Sequence, residues 1–462
     1  MKKLFAIALA SSLVMFGKNV VAQSQAPVCG NELIQEEINK DPYKKAYFEN
    51  YFNQYVAENK AMAAESAQAR SKTTAPKIYP VVLIPVVFHV VMNQAQFGQI
   101  LDTAGLIDRI NSQILVMNED FNNGNADLAG VPAGFQPKIG NASIQFQLAR
   151  RDPQGKAKLG IVYKMQNASF TGYAAHDHSV KRNVMGGSDP WDYTKYLNVW
   201  ITPILPPSSG GQILGYAYNS VYSQNTTGDP ALAGVVVHYL AFGRKTAMST
   251  NFYGSATKGR TLTHELGHFF NIWHIWGITT PSGQSNCNED DGIDDTPLQE
   301  KSNTSCPLGI KANCTQASDP AGEMYMNFMD YSTDACTRMF SLGQVERMRK
   351  ELDDPNGQVH SLSKNPHLAS WPSDVSPMEF NNKVDVGPNP SDGKFNIFFF
   401  DKYNKLDRIT VTNSMGQLVK DIAVTDQQQI NYNIDITSAA KGMYVVQLHF
   451  DEGIIYRKVV VQ

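Results

Sequence analysis

Residues 264–274 read HELGHFFNIWH. On a helix, His264 and His268 project from the same face because they are four residues apart, so both imidazoles can bind one ion. Glu265 follows the first of these ligands, from where its carboxylate can reach a water on the metal as general base. His274 cannot lie on that face, so the helix must end near Asn271 and the chain must turn back. Three histidines leave one coordination position open, which is typical of catalytic zinc.

A bare HExxH also occurs by chance in ordinary helices, so a second motif matters. Residues 326–331 read MNFMDY. Met329 would form an apolar floor below the histidines, and Tyr331 could present its phenol to a developing oxyanion. Alone, this methionine and tyrosine would more often be core residues. The zinc helix upstream favours the functional interpretation, a Met-turn of the metzincin type.

With these motifs, residues 77–350 resemble the pappalysin family of metzincin metallopeptidases, in its bacterial secreted branch. The resemblance is carried by residues 84–91, 187–192, 196–200, 214–217, 295–297 and 329–331, and by Cys336. It implies an α+β metzincin-like catalytic domain with a mixed twisted sheet, a backing helix and a zinc-site helix. Asn271 replaces the glycine of the general metzincin turn, and asparagine tolerates the left-handed backbone that such a turn requires.

The N-terminus predicts export. Residues 1–22 combine a basic start, an apolar stretch over 4–16 and small residues before a cleavage point, as in a secretory signal peptide. That apolar stretch is too short to span a bilayer, and no later segment qualifies as transmembrane. The formal net charge of -3 carries no basic surplus, which argues against a nucleic-acid partner.

Five cysteines in an exported chain predict two disulfides and one free thiol. Four of them cluster in the second half of the catalytic domain, and the residues alone allow three pairings. The family resemblance implies Cys287 with Cys314 and Cys306 with Cys336.

The fifth cysteine, Cys29, lies in a predicted propeptide over residues 23–76. Thiolate is an excellent zinc ligand, so Cys29 can occupy the open position and keep the enzyme latent, as in similar bacterial family members. Gly30 would let the backbone lie close to the cleft. Alternatively, Cys29 is an unpaired leftover cysteine or forms an intermolecular disulfide. The helical segment that follows it would then be a soluble arm with no gating role.

The resemblance places the catalytic domain at residues 77–355, and apolar patterns predict the elements within it. Strands are predicted at 81–91, 143–148, 199–201 and 235–237, and a helix at 101–121. The resemblance implies that residues 214–217 form the edge strand above the cleft, where a substrate could pair with free backbone groups of Leu214, Gly215 and Tyr216. The alternative is that Leu214 and Tyr216 only fill the core.

Two acidic features point to further sites. Residues 288–297 form an acidic loop that is unlike an EF-hand; from the residues alone it is a solvated turn, whereas the resemblance implies structural calcium, with Asp291, Asp295 and Thr296 as candidate ligands. Asp334 could line the pocket that follows the scissile bond and select arginine or lysine, as in some relatives; otherwise it is a surface aspartate.

A linker is predicted over residues 356–383, followed by short alternating strands over 384–462. Such strands with turn signals predict a small all-β, immunoglobulin-like sandwich. Its PNPSDGKF start, GMYVV strand and late lysine resemble the C-terminal sorting domain of the type IX secretion system. This implies passage through the periplasm and outer membrane of a Gram-negative bacterium to the medium or cell surface. A carbohydrate- or protein-binding module is the alternative.

Together these features predict a secreted zinc-dependent endopeptidase, made as a latent zymogen, that acts on proteins or peptides and engages the type IX machinery. Two other classes of protein compete with this interpretation. One is a zinc-binding, non-catalytic surface scaffold, against which the intact Glu265 argues. The other is an adhesion protein whose sandwich carries the function, against which the complete catalytic set argues.

Overall fold

A computed structural model of the chain describes residues 29–462, except for 73–76, 101, 176, 209, 219–222, 224–227, 247–249, 278–286, 312–313, 315–318, 358, 371–383, 400–405, 426–430 and 451–452. The predicted signal peptide, residues 1–22, lies outside the described residues. Within the described ranges, no helix combines the length and apolar character needed to cross a membrane.

Two helices come before the catalytic domain, α1 (Asn31–Lys40) and α2 (Pro42–Lys72). Asp41 separates them, because its carboxylate accepts hydrogen bonds from the backbone N–H groups of Tyr43 and Lys44 at 2.9 and 3.3 Å. These bonds satisfy donors that the first turn of α2 would leave unpaired. Both helices pack on the catalytic domain.

The described strands of the catalytic domain form one mixed sheet. They are β1 (Val82–Asn93), β2 (Ile144–Leu148), β3 (Ile161–Gln166), β4 (Leu197–Thr202), β5 (Gly215–Tyr218) and β6 (Gly234–His238). The order is β2-β1-β4-β6-β5, and β1 pairs in parallel with β2, β3 and β4. Most of β1 is buried, which explains its unbroken apolar run. β5 lies at the edge, antiparallel to β6, where the sequence predicts it.

The described part of the domain carries the helices α3 (Gln94–Gln99), α4 (Asp102–Phe121), α5 (Arg260–Phe269) and α6 (Leu342–Asp353). α4 backs the sheet and also packs against α5. α5 carries the HExxH motif, and nearly all of its residues are buried. Ser341 and Gln344 form a reciprocal cap at the start of α6.

Residues 359–370, inside the predicted linker, pack against the catalytic domain. They form two short 3-10 turns, His360–Lys364 and Pro366–Ala369, with Leu362 and Leu368 buried. Their apolar side chains pack against β1. A sequence rich in proline, serine and asparagine does not predict this packing. The rest of the predicted linker, residues 371–383, lies outside the described residues.

The C-terminal segment is a seven-strand sandwich in the residues that the structure describes. Its strands are β7 (Val384–Gly387), β8 (Lys394–Phe399), β9 (Leu406–Asn413), β10 (Leu418–Ala423), β11 (Asn431–Asp435), β12 (Gly442–Phe450) and β13 (Gly453–Val461). They form two sheets, β10-β9-β12-β13 and β11-β8-β7, around one apolar core. The predicted architecture, an α+β catalytic domain followed by a small all-β sandwich, is confirmed.

Candidate active site

Helix α5 and the turn after it bring the three predicted ligand histidines together. Nε2 of His274 lies 3.0 Å from Nε2 of His268 and 3.3 Å from Nε2 of His264. Nδ1 of His264 lies 2.7 Å from the carbonyl oxygen of Phe328, and Nδ1 of His268 lies 2.8 Å from that of Ile272. Since a carbonyl oxygen can only accept, both rings carry their proton on Nδ1 and present a lone pair at Nε2.

This arrangement fits a tetrahedral metal ion. Lone pairs facing each other at 3.0 and 3.3 Å repel unless a cation lies between them. A zinc ion with bonds of about 2.0–2.1 Å would hold tetrahedral ligands about 3.3 Å apart. Sγ of Cys29 completes a group of four ligand atoms that all lie within 4.8 Å of one another. Burial lowers the pKa of His264 to about 4, so its imidazole is neutral, as a ligand must be.

The chain reaches the third histidine through a left-handed turn at Asn271, where φ is 66°. The amide of Asn271 donates to the hydroxyl of Tyr51 at 2.6 Å and to the Glu351 carboxylate at 2.7 Å. Asparagine therefore provides the backbone conformation of the expected glycine and two side-chain contacts that glycine lacks. One of those contacts comes from helix α2, which carries Tyr51.

Met329 lies beneath the histidines, fully buried. A Cβ atom on Gly267 would lie 2.2 Å from the Met329 sulfur, so only glycine at this position of HExxH lets the methionine pack this closely. The ring of His274 stacks on Trp276 with centroids 4.4 Å apart. The stacking on Trp276 fixes the ring of His274, and the Met329 side chain packs against the helix that carries His264 and His268.

Glu265 faces the edge strand. A Cβ atom on Gly215 would lie 2.6 to 2.9 Å from atoms of the Glu265 side chain, so β5 can approach the carboxylate only because residue 215 is glycine. Burial raises the pKa of Glu265 to about 8 against an opposing hydrogen bond from Cys29. A carboxylate whose pKa lies near neutrality can both accept and return a proton.

The N-terminal segment occupies this centre. The thiol of Cys29 lies 3.6 Å from Oε2 of Glu265. The Tyr331 hydroxyl accepts a hydrogen bond from the backbone N–H of Cys29 at 3.2 Å and donates one to the Glu32 carboxylate at 2.6 Å. The segment thus contacts Glu265 and Tyr331, the two residues that the sequence assigns to catalysis.

Asp334 lines a cavity next to the centre, together with Leu214, Gly215, Glu265 and Tyr331. Its Oδ2 accepts a hydrogen bond from the backbone N–H of Lys258 at 2.8 Å. Burial is the main cause of a raised pKa for Asp334. Asp334 is therefore a buried carboxylate in a cavity wall rather than a surface aspartate.

Arg260, which sequence reasoning missed, secures this wall. Its guanidinium donates to the carbonyl oxygen of Asp334 at 2.8 Å and forms two hydrogen bonds with the Asp127 carboxylate at 2.6 and 2.8 Å. A signal existed, because Arg260 begins α5, where a positive charge opposes the helix dipole and needs carboxylate partners. Its partner lies 133 residues earlier in the chain, beyond the reach of any local pattern.

The acidic loop places its three candidate calcium ligands differently. Asp291 is fully buried, and its Oδ2 has no hydrogen-bond partner among the described residues. The hydroxyl of Thr296 lies 2.6 Å from the other oxygen, Oδ1. Both carboxylate oxygens of Asp295 accept hydrogen bonds at the start of α6, from Ser341 at 2.6 Å and Gly343 at 2.9 Å.

Two disulfides link the loops around the centre. The structure joins Cys287 to Cys314 and Cys306 to Cys336, the pairs that the family resemblance implies. Cys29 is the free cysteine. Because Cys336 follows the Met-turn closely, its disulfide ties the loop that carries Tyr331 and Asp334 to an upstream segment.

Comparison with known proteins decides the family. The family model described as pregnancy-associated plasma protein-A matches residues 181–353, and a secretion system C-terminal sorting domain matches residues 385–462. An extracellular metalloprotease of Arthroderma gypseum is 30% identical over 223 residues, which is 47% of this chain and 67% of that protein. The chain belongs to the pappalysin family of metallopeptidases.

Two solved structures extend the likeness beyond the family model. Mature mirolysin of Tannerella forsythia, in complex with a cleaved peptide, is 37% identical with a TM-score of 0.55, over 64% of this pappalysin and 100% of that chain. A mutant of Tannerella forsythia promirolysin is 33% identical with a TM-score of 0.59, over 74% of this pappalysin and 99% of that chain. This pappalysin is a secreted metallopeptidase with a zymogen among its relatives, and its sorting domain directs it across the outer membrane.

Proposed function

We propose that this pappalysin is a zinc endopeptidase that hydrolyses peptide bonds with Glu265 as general base. The observation that carries the proposal is the convergence of three Nε2 lone pairs next to the Glu265 carboxylate, beside the edge strand β5. His264, His268 and His274 would hold the zinc ion. Bound there, zinc supplies Lewis acidity, which polarises the peptide carbonyl and lowers the pKa of a coordinated water towards about 7.

The chain's own groups would do the rest. Glu265 accepts a proton from the attacking water and passes it to the amine that leaves. Tyr331, whose ring centroid lies 5.0 Å from that of His274, donates a hydrogen bond to the oxyanion once Cys29 and Glu32 have gone. The carbonyl of Gly215 and the backbone N–H of Ala217, which face away from β6, would pair with the extended substrate and align its carbonyl with Glu265. The carbonyl of Leu214 already accepts a hydrogen bond from His238 within the sheet.

Latency would follow from Cys29 as a fourth ligand. The thiol lies within the same 4.8 Å group as the three histidine nitrogens and contacts Glu265, so it excludes both water and substrate. The domain boundaries proposed here accord with this role, with a propeptide at residues 23–76 and a catalytic domain at 77–355. Removal of the propeptide would free Glu265 and Tyr331 together.

Two finer assignments belong to the same proposal. Structural calcium is supported by Asp291, whose buried Oδ2 lacks a partner among the described residues, with Asp295 and Thr296 as the further candidates. A preference for arginine or lysine after the scissile bond is supported by Asp334. Its Oδ2 binds a backbone N–H group, which leaves the other carboxylate oxygen available to a basic side chain.

The sorting domain supports the type IX secretion machinery as a partner during export, and protein or peptide substrates afterwards. The zinc-binding scaffold and the adhesion protein stay as rivals that an activity measurement can separate. In both rivals, the histidine cluster would bind metal without turnover.

The test expresses the full chain, removes residues 1–76 by proteolysis, and measures peptide-bond cleavage by the processed protein in the presence of zinc and calcium. We expect cleavage of an unfolded protein, complete loss of that cleavage on zinc chelation, and recovery when zinc is added back. Calcium stays in excess throughout, so the loss reports the histidine centre rather than the acidic loop. A folded, zinc-loaded protein that cleaves nothing would overturn the proposal and favour the scaffold.

A further inference from the structure

Helix α1 covers an apolar surface of the catalytic domain beside the histidine centre. Ile34 and Ile38, one turn apart on α1, are only 3% and 2% exposed. They share one apolar cluster with residues from several elements of the catalytic domain, which include Tyr173, Ala175, Ile204 and Ile213. We call these four residues the α1 surface. Removal of the propeptide would expose them to solvent in the mature enzyme.

The segment that leads into α1 follows the substrate-binding edge. The backbone N–H of Gly30 donates to the carbonyl oxygen of Gly215 at 2.8 Å, and the backbone N–H of Ala217 donates to the side-chain oxygen of Asn31 at 2.8 Å. These are the groups of β5 that an extended substrate needs. The α1 surface is therefore continuous with the edge on which substrates would lie.

The contact between this segment and the surface is close. A Cβ atom on Gly30 would lie 2.9 Å from Cβ of Tyr216 and 3.1 Å from Cβ of Ala175. The backbone at Gly30 therefore lies directly against Tyr216 and Ala175. The first side chains that reach the α1 surface belong to helix α1.

The α1 surface lies on one side of the reacting centre, and the cavity of Asp334 lies on the other. Leu214 and Gly215 line that cavity, whereas Asn31 and α1 follow β5 towards Ala217. If the cavity takes the side chain after the scissile bond, the α1 surface lies along the path of the residues before it.

The distance between Cys29 and Ile34 indicates which substrate residue would occupy the α1 surface. Ile34 follows Cys29 by five residues, mostly in helix, which at about 1.5 Å per residue amounts to roughly 6–8 Å. An extended substrate covers that distance in about two to three residues. The side chain that replaces Ile34 thus belongs to the second or third residue before the scissile bond.

We propose that the α1 surface is a substrate subsite that takes a branched aliphatic side chain two or three residues before the scissile bond. The propeptide occupies it with Ile34 and Ile38, so it blocks recognition as well as catalysis. The proposal rests on the proposed endopeptidase function. Burial of one such side chain predicts a gain in kcat/KM of about tenfold to a hundredfold over glycine.

The test uses the processed, zinc-loaded chain and peptides that differ at one position. Arginine follows the scissile bond in every peptide, and the second or third residue before the bond is isoleucine or glycine. We expect the isoleucine peptide to be cleaved at least tenfold faster at one of these positions. Equal rates at both positions would overturn the subsite, whereas failure to cleave any peptide would overturn the proposed function instead.

Two variants test whether the preference for isoleucine arises at the α1 surface. Ala175→Asp is expected to bring the isoleucine-to-glycine ratio close to one, because a carboxylate would face the aliphatic side chain. Leu308→Asp, at a residue that is 96% exposed in a loop, is the matched control and is expected to keep the parent ratio. An unchanged ratio in a folded Ala175→Asp protein would contradict the proposal.

A second measurement needs no enzyme variant. A synthetic peptide of residues 27–40 carrying Cys29→Ser should compete with the isoleucine substrate. The same peptide with Ile34→Asp and Ile38→Asp should inhibit at least tenfold more weakly. Equal inhibition by the two peptides would show that α1 does not occupy a subsite.

Discussion

The Cys29 thiol lies 3.6 Å from the Glu265 carboxylate, across 236 residues of sequence. Burial and then the charge of Glu265 raise the pKa of the thiol, and binding of Cys29 to zinc would require this proton to leave. One side chain from the propeptide thus contacts the proposed general base and shares the ligand group of the three histidines. Under the proposed function, this contact would make latency depend on the same atoms that carry out catalysis.

Replacement of Cys29 by alanine should weaken latency. The cavity left by the thiol would admit water next to Glu265, although α1 and Gly30 would still cover the edge strand. We expect the unprocessed Cys29→Ala chain to hydrolyse a short peptide at least tenfold faster than the unprocessed parent, measured by fluorescence release. The double variant Cys29→Ala with Glu265→Gln should be silent, and an inactive single variant would show that the helices alone block the cleft.

Glu58→Gln should destabilise the zymogen and leave the mature enzyme unaffected. Nη1 of Arg347 lies 2.7 Å from Oε2 of Glu58, and Arg347 is only 4% exposed. Loss of the charged partner should cost about 1–2 kcal/mol, which lowers the melting temperature by roughly 2–4 °C. Glu49→Gln, an exposed position on the same helix, is the control; equal melting temperatures for Glu58→Gln and the parent would refute the contact's importance.

Acid should weaken the fold through Asp127. Burial alone would raise its pKa, but hydrogen bonds from Arg260, Lys258 and Asn125 outweigh that effect and hold the pKa well below the usual range. Since the folded chain binds this proton less readily than the unfolded chain, the carboxylate stabilises the fold above pH about 4, and this stabilisation is lost as pH falls.

The corresponding measurement is urea unfolding of Asp127→Asn and of the parent across pH. The variant should be less stable by about 1–3 kcal/mol at pH 7, with a gap that narrows below pH about 4. Glu36→Gln, at an exposed position of α1, serves as control for the general effect of removing one negative charge. A gap that stays constant with pH would mean that the Asp127 charge has no part in stability.

Gly215→Ala should impair catalysis without loss of metal. The added Cβ atom would meet Glu265 at 2.6 to 2.9 Å, so either the carboxylate or the edge strand must move. A displacement of that kind is expected to reduce kcat/KM by about a hundredfold. Gly98→Ala is the matched control, because its Cβ atom would meet nothing within 4 Å. Parent-like turnover by Gly215→Ala would place Glu265 elsewhere during catalysis.

The local part of the site could be predicted from sequence because its constraints are local. The spacing of His264 and His268 follows from helix geometry, and the left-handed turn at Asn271 follows from the need to bring His274 back. The edge position of β5 and the disulfide pairs came from family resemblance rather than from periodicity. These predictions depend on short segments or on a known family arrangement.

The remainder depends on contacts that no local pattern encodes. The partners Arg260 and Asp127 are 133 residues apart, and the apolar side chains of Ile34 and Ile38 resemble those of any amphipathic helix. The role of Asp295 in capping α6 was hidden, because an acidic loop is equally compatible with solvent, calcium or a helix terminus. These roles can be assigned only from the tertiary fold, because the fold determines which residue each side chain contacts.

The central claim is tested most directly by measuring metal content and peptide turnover in the same samples of processed parent and Glu265→Gln protein. Glutamine keeps the shape of the side chain and removes its ability to accept the proton. We predict one zinc ion per chain in both proteins and a fall in kcat of at least a thousandfold in the variant, about 4 kcal/mol in activation free energy. A zinc-loaded variant that turns over like the parent would contradict the account.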